Sequence, residues 1–313
     1  MSTAFLFPGQ GSQHVGMGAD LAEQFPEARA CFEAADALLG YKLTDLMFGR
    51  HADDEAAAEE ALKQTEVTQP ALYVHSLAAM AVLQAGGREP DMVAGHSLGE
   101  YSALAAAGAL SFEDGLRVVR RRGELMAEAG ERRPGAMAAV LGTDDETVES
   151  VCNEVSEGAD GVVQPANFNA PGQIVISGDV AAVEAAMEAM PGRTIRLPVS
   201  GAFHSPLMAY AEDGLAEVLE AVDIRPPRCP VYLNVTARPT TDPDEIRRRL
   251  LEQLRAPVRW AQALRTMQAD GAIRFVEVGA GKVLQGLVRR TLGRDAETHG
   301  AGTADKLAAL AAE

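Results

Sequence analysis

The sequence predicts an α/β protein: a parallel-sheet core made from both ends of the chain, interrupted by a small β-α-β-β-α-β unit. Three observations carry this. Short apolar runs at 3–7, 92–95 and 273–278 are separated by long helical patterns, the order that builds parallel sheets. The stretch 136–197 changes character and runs strand, helix, strand, strand, helix, strand, the split βαβ arrangement. The chain has 313 residues and 47% apolar content, enough to bury such a core without staples. The predicted division is 1–130 with 199–313 for the core and 131–198 for the insert.

Taken in order, 3–7 is an apolar run stopped by Pro8-Gly9, hence a buried strand. The spacing predicts a helix over 21–39, and 69–85 is apolar on nearly every side, hence a buried helix. A strand at 92–95 enters a sharp turn, and 98–107 is a helix packed through alanines. Over 112–129 an amphipathic helix carries acidic residues early and arginines later, in keeping with the helix dipole. In the insert, strands at 136–141, 162–168, 173–177 and 194–197 and helices at 144–156 and 180–190 are predicted. The first of these helices is capped by Thr143 or Asp144, and the middle two strands turn at Asn169-Ala170-Pro171-Gly172. Beyond it come helices at 206–222, 243–254, 261–269 and 282–292 and strands at 231–234 and 273–278. The turns after Gly293 look peripheral.

Composition excludes several classes. A net charge of −17 is the reverse of the basic face that tracks phosphates, so nucleic acid is set aside. Cys31, Cys152 and Cys229 are odd in number and far apart, which suits small core residues in a reducing compartment. The N-terminal run has no basic flank, and no stretch is long enough to span a membrane, so a cytoplasmic enzyme is expected. Gly279-Ala280-Gly281-Lys282 is not a P-loop, because Val276 and Val283 stand where glycine and a hydroxyl residue belong. Gly9-Gln10-Gly11 is followed by His14 where a dinucleotide fingerprint needs its third glycine.

Gly95-His96-Ser97-Leu98-Gly99 matches G-x-S-x-G in the context that motif requires, strand then helix. Glycines flank the serine because the turn leaves no room for side chains, and the following helix N-terminus offers N–H groups to an oxyanion. A nucleophilic serine needs a base. Of the six histidines, His51 and His299 lie in polar stretches expected to be exposed, and His75 reads as a satisfied core residue. His96 adjoins the serine, but neighbouring side chains on such a turn diverge. His204, between a strand and a helix, falls at the strand-end edge where α/β sites form. Unaided, base and plain loop histidine stay open for it. No carboxylate to orient it is evident, which leaves a backbone or amide carbonyl for that task.

Several segments together resemble the malonyl-CoA:acyl-carrier-protein transacylase family. They are Phe7-Pro8-Gly9-Gln10-Gly11-Ser12-Gln13, Gly95-His96-Ser97-Leu98-Gly99-Glu100, Arg122-Gly123-Glu124-Leu125-Met126 and Asn167-Phe168-Asn169-Ala170-Pro171-Gly172-Gln173. Gly201-Ala202-Phe203-His204, Gln253 ahead of Pro257-Val258-Arg259-Trp260, and Val278-Gly279-Ala280-Gly281-Lys282-Val283-Leu284 complete the set, in the family's order across nearly the whole chain. The resemblance implies a hydrolase-like core with a ferredoxin-like insert. It implies Ser97 as nucleophile, His204 as general acid/base and Gln253 as the carbonyl that orients it. Gln10 and the Leu98 N–H would form the oxyanion hole, and Arg122 would bind the malonyl carboxylate, with Phe203, Met126 and Asn167 also at the substrate. Without the resemblance, Gln10 is an ordinary loop amide and Arg122 part of a solvated stripe with Arg117, Arg120 and Arg121.

The implied reaction is ping-pong transfer of malonyl from CoA to the phosphopantetheine thiol of holo acyl carrier protein, with no metal or other cofactor. A monomer is expected. Phe203 would crowd an α-methyl branch and disfavour methylmalonyl, while Gly201 occupies a position where some relatives differ. Lys282, Arg289 and Arg290 read equally as contacts to the carrier or CoA phosphates and as a solvated face. Length favours fatty-acid over polyketide synthesis by analogy. A serine esterase or thioesterase on the same core is the main alternative; it explains Arg122 poorly. A non-catalytic binding module leaves Ser97 and His204 without a purpose.

Overall fold

A computed structural model describes residues 2–50, 55–158, 161–199 and 201–312. His51 lies outside them. The strands are β1 (Ser2–Phe7), β2 (Met92–Gly95), β3 (Gly135–Leu141), β4 (Val163–Ala170), β5 (Gln173–Asp179), β6 (Arg193–Arg196), β7 (Val231–Tyr232), β8 (Pro239–Thr240), β9 (Ala272–Glu277) and β10 (Glu297–Gly300). The helices before the insert are α1 (Ala19–Gln24), α2 (Pro26–Leu39), α3 (Leu43–Phe48), α4 (Glu55–Lys63), α5 (Thr65–Ala85), α6 (Gly99–Ala106) and α7 (Phe112–Arg132). The insert holds α8 (Asp145–Gly158) and α9 (Val180–Ala189). After it come α10 (Ala209–Glu220), α11 (Pro243–Glu252), α12 (Trp260–Ala269), α13 (Val283–Leu292) and α14 (Ala304–Ala311).

The strands form two sheets. The larger runs β10-β9-β1-β2-β7-β8 and is parallel except for β8, which returns antiparallel on β7. The smaller runs β4-β5-β3-β6 and is antiparallel throughout. β1 and β2 are buried along most of their length because helices cover both faces, which is why their sequences are apolar rather than alternating. The small sheet has its own core, in which Ala138, Val140, Ile174 and Ile176 pack against Val148, Cys152, Val183 and Ala186. Its strand β4 is tied to the larger unit by hydrogen bonds from Phe168 N to Val258 O and from Val258 N to Ala166 O.

Several local expectations need correcting. The helix expected over 21–39 is two helices that break at Phe25, because Pro26 occupies the first position of α2. The segment from Pro206 opens with a 3-10 turn, Pro206–Met208, before α10. Asp144, not Thr143, caps α8, accepting from Thr147 N at 2.9 Å. The chain after Gly293 is no periphery: β10 pairs with β9, and Ala301, Ala304 and Leu307 lie in the main core. His299, on β10, is part-buried beside Glu297 rather than exposed. Cys152 is buried, whereas Cys31 and Cys229 are half-buried; all three are free.

His75 is fully buried in α5, but neither ring nitrogen finds a hydrogen-bond partner among the described residues. Burial pulls its pKa down to about 4, so the folded protein holds the ring neutral while the unfolded chain protonates it below about 6.5. Its contribution to stability is complete above that higher value and is lost as the pH falls toward the lower one. The thermal unfolding midpoint should therefore fall between pH 6.5 and 4, and His75→Met should flatten that part of the profile. An identical slope in wild type and variant would remove His75 as a cause.

Candidate active site

The parallel strands β1, β2 and β7 end side by side, and the site is built on those ends. β2 runs straight into a turn at His96-Ser97-Leu98 and then into α6. Ser97 has φ 51°, a left-handed conformation that is strained for a residue with a side chain. The turn closes only because the backbones nearly touch. A Cβ on Gly95 would lie 1.8 Å from Gly99 C, and one on Gly99 would lie 2.1 Å from Phe7 O. Gly9 approaches from the β1 side, where a Cβ would meet His96 O at 2.4 Å. At the head of α6, no acceptor for the Leu98 N–H appears among the described residues, so a donor stands free beside Ser97.

His204 also has positive φ, 58°, and is nearly fully buried. Its Nε2 lies 2.8 Å from Ser97 Oγ, and its Nδ1 lies 2.8 Å from the Gln253 backbone oxygen. A carbonyl only accepts, so Nδ1 carries the proton and Nε2 presents a lone pair to the serine hydroxyl. No carboxylate among the described residues takes part. Burial, reinforced by the Arg122 charge and opposed by the Gln253 carbonyl, brings the His204 pKa down to about 3. His96 turns the other way: its Nε2 meets Asn169 Oδ1 at 2.7 Å, and its ring stands 5.4 Å from that of Trp260.

Arg122 belongs to the site and not to the solvated stripe. It is 1% exposed, whereas Arg120 and Arg121 on the outer side of α7 pair with Glu124 and Glu128. Gly123 makes room for α7 against α5, since a Cβ there would lie 2.9 Å from Glu66 Cα. Arg122 Nη1 donates to Gln69 Oε1 at 2.8 Å; Nη2 donates to Gln253 Oε1 at 2.9 Å and to Ser97 Oγ at 3.2 Å. Its guanidinium carbon sits 5.5 Å from the centre of the Tyr101 ring. Its partners are neutral amides and hydroxyls. Glu100, whose charge bears on Arg122, is fully buried, and burial drives its pKa up to about 8 against the pull of the Asn234 N–H, Gln253 and Arg122.

The other expected residues lie at graded distances from this centre. Gln253 is fully buried and contributes its side chain as well as its carbonyl, with Nε2 donating to Ser97 O at 3.1 Å. The Gln10 side chain is exposed and donates to Thr65 Oγ1 at 3.2 Å. Met126 is reached through Gln69, whose Nε2 lies 3.3 Å from its sulfur. Phe203 is 9% exposed, and its ring occupies the space a side chain at 201 would take: a Cβ on Gly201 would be 2.4 Å from Phe203 Cε1. Asn167 is buried in β4, outside the hydrogen-bonded group around Ser97. Lys282, Arg289 and Arg290 are exposed on or beside α13, where Arg290 reaches Gln173. Sequence reasoning missed Gln69, Glu100 and Asn234. The last was legible in one respect: it is the polar final residue of the strand expected over 231–234, at the edge where such sites form.

Residues 4–307 match the model of the acyl transferase domain family. The chain is 49% identical over 291 residues to the malonyl CoA-acyl carrier protein transacylase of Bacillus subtilis (strain 168), covering 92% of this chain and 89% of that one. It is 46% identical over 292 residues to the enzyme of the same name from Escherichia coli (strain K12), covering 92% of each. Among solved structures, MCAT from Streptococcus pneumoniae superposes with a TM-score of 0.90 at 42% identity over 99% of both chains. A malonyl-transacylase in complex with a type II polyketide acyl-carrier protein superposes with a TM-score of 0.90 at 40% identity over 98% of both.

The lowered pKa of His204 has a consequence that is independent of substrate. A base with a pKa of about 3 stays neutral throughout the mildly acidic range. Sulfonylation of Ser97 by a small sulfonyl fluoride should be nearly flat from pH 7 to pH 5, whereas an unshifted imidazole would lose about twenty-fivefold. A rate that halves near pH 6.5 would show that the ring is not shifted.

Proposed function

The chain belongs to the acyl transferase domain family, and from that premise we propose that it moves a malonyl group from CoA to the phosphopantetheine thiol of an acyl carrier protein through a Ser97 ester. The observation that carries this reading is Arg122. A buried guanidinium with no anionic partner among the described residues stands 3.2 Å from the serine oxygen, placed to hold the far carboxylate of an acyl group attached there. A plain esterase has no use for it.

In the proposed mechanism, Ser97 Oγ attacks the thioester carbonyl while its proton passes to His204 Nε2. The Leu98 N–H and the Gln10 amide, turned inward from Thr65, hold the oxyanion. The carbon–sulfur bond then breaks, and CoA leaves with the proton from His204. The carrier thiol gives its proton to His204, its sulfur attacks the ester, and Ser97 Oγ leaves and recovers the proton. Arg122 holds the malonyl carboxylate, with Gln69 fixing the guanidinium and Met126 behind it. Phe203 restricts branching next to the carbonyl, and Asn167 shapes the insert side of the cleft. The reading calls for no cofactor. It treats 1–130 with 199–313 as the core and 131–198 as the subdomain closing over it, in a cytoplasmic monomer.

Two measurements test this. Incubation with malonyl-CoA should add one malonyl mass to the intact protein, and holo acyl carrier protein should discharge it; Ser97→Ala should take none. Rapid release of malonate without accumulation of the adduct would make the protein a hydrolase. Arg122→Ala should lose malonyl transfer by roughly a hundredfold or more while gaining relative activity toward acetyl-CoA. Unchanged acyl preference would take Arg122 out of the substrate pocket.

A further inference from the structure

Asn234, 1% exposed, sits in the turn after β7, the strand beside β2, and bonds to three parts of the site at once. Its Oδ1 accepts from Ser97 N at 2.7 Å and from Gln253 Nε2 at 3.3 Å; its Nδ2 donates to Gly95 O at 2.7 Å. These partners fix the amide's orientation, since a flipped side chain would set NH2 against the Ser97 N–H and oxygen against the Gly95 carbonyl. The residue itself is anchored on both sides. Its backbone N–H donates to Glu100 Oε2 at 2.7 Å, and its carbonyl accepts from Arg259 N at 2.9 Å.

These bonds close a circuit. From Ser97 N it runs to Asn234 Oδ1, to the Gln253 side chain, through the Gln253 carbonyl to His204 Nδ1, and from His204 Nε2 back to Ser97 Oγ. The same Gln253 side chain accepts from Arg122. We propose that Asn234 is the positioning residue that locks the strained Ser97 turn to Gln253, and so keeps nucleophile, base and carboxylate-binding arginine in one register. Asn234 touches neither substrate nor the reacting atoms. Its action is to hold φ of Ser97 in the left-handed region, by gripping the peptide groups on both sides of His96, and to keep the Gln253 amide from rotating.

The inference rests on the malonyl-transfer reading for its turnover assay and stands apart from it in the sulfonylation assay. The variants are Asn234→Ala and Asn234→Asp. In Asn234→Asp, an ionised oxygen would face the Gly95 carbonyl, whereas the protonated acid donates there and still accepts from Ser97 N. The charged and titratable groups around this position are Glu100 on α6, Arg259 before α12, and Arg122 and His204 reached through Gln253.

Asn234→Ala should lower both kcat and the Ser97 sulfonylation rate by roughly a hundredfold, with KM for malonyl-CoA within about threefold of wild type. The deficit of Asn234→Asp relative to wild type should shrink by about tenfold between pH 8 and pH 6, with circular dichroism showing the variant equally folded at both pH values. A sulfonylation rate in Asn234→Ala within about threefold of wild type, or an Asn234→Asp deficit that is the same at both pH values, would overturn the inference. If wild type takes no malonyl adduct, the functional reading fails, and the sulfonylation comparison still decides the role of Asn234.

Discussion

The site depends on a contact that leaves no room for a side chain. Between β2 and α6 the chain reverses so tightly that Gly95 and Gly99 lie backbone on backbone, and the end of β1 presses on Gly99 through Phe7. A turn closed in this way pushes Ser97 into left-handed φ, out from the sheet and onto the head of a helix. Such a conformation costs roughly 1–3 kcal/mol and persists only where the surroundings over-determine it. Here they do: the main chain of Ser97 is gripped at its nitrogen by Asn234 and at its oxygen by Gln253. His204 shows the same economy, with positive φ of its own and Ser205 Oγ donating back to Ala202 O beside it. The two strained residues face each other across 2.8 Å.

The second constraint is electrostatic. Burying a cation without a counter-ion is among the least favourable things a protein does. Arg122 is surrounded by Gln69, Gln253, Ser97 and the Tyr101 ring, a set of dipoles that solvates the guanidinium without neutralising it. Its Nε makes no hydrogen bond among the described residues. Burial lowers the pKa of Arg122 and raises that of Glu100. Glu100, whose charge would bear on Arg122, is thereby shifted toward its neutral form. The missing negative charge is what the proposed substrate would bring, which explains why neutral amides line the position where a carboxylate would otherwise fill the site.

How much of this was legible in the sequence depended on the range over which each signal acts. β1, β2, β9 and the insert's strands β3, β4 and β5 announced themselves because burial on both faces, or on one face with turn residues beside it, leaves a local apolar pattern. β10 did not: Glu297–Gly300 is polar, and its strand character comes from pairing with β9. The Ser97 turn was legible because its physics is local, two glycines and a helix start. His204 was legible only as a candidate, since no local feature tells a base from a loop histidine. Arg122 read as surface until the family resemblance was used, because its neighbours on α7 are solvated and one helical face differs from the next by a rotation the composition does not mark. Asn234 and Gln69 went unread. Both are common amides whose partners lie far along the chain, Ser97 at a separation of 137 residues and Arg122 at 53.

The two constraints meet at His204. The Arg122 charge that would select a dicarboxylic acyl group also depresses the basicity of the imidazole that would deprotonate Ser97. Both groups bear on the same oxygen, at 3.2 Å and 2.8 Å. When a malonyl carboxylate pairs with Arg122, the positive field at His204 is largely cancelled, and the ring recovers the part of its basicity that the arginine removed. A substrate without that carboxylate leaves the field in place and meets a weaker base. In the proposed mechanism, hydrolysis of the Ser97 ester would need His204 to accept a proton from water, whereas the carrier thiol brings a more acidic proton. In the proposed reaction, selection of the acyl group thus rests on one geometric fact, that the proposed carboxylate receptor and the proposed general base share a single serine oxygen.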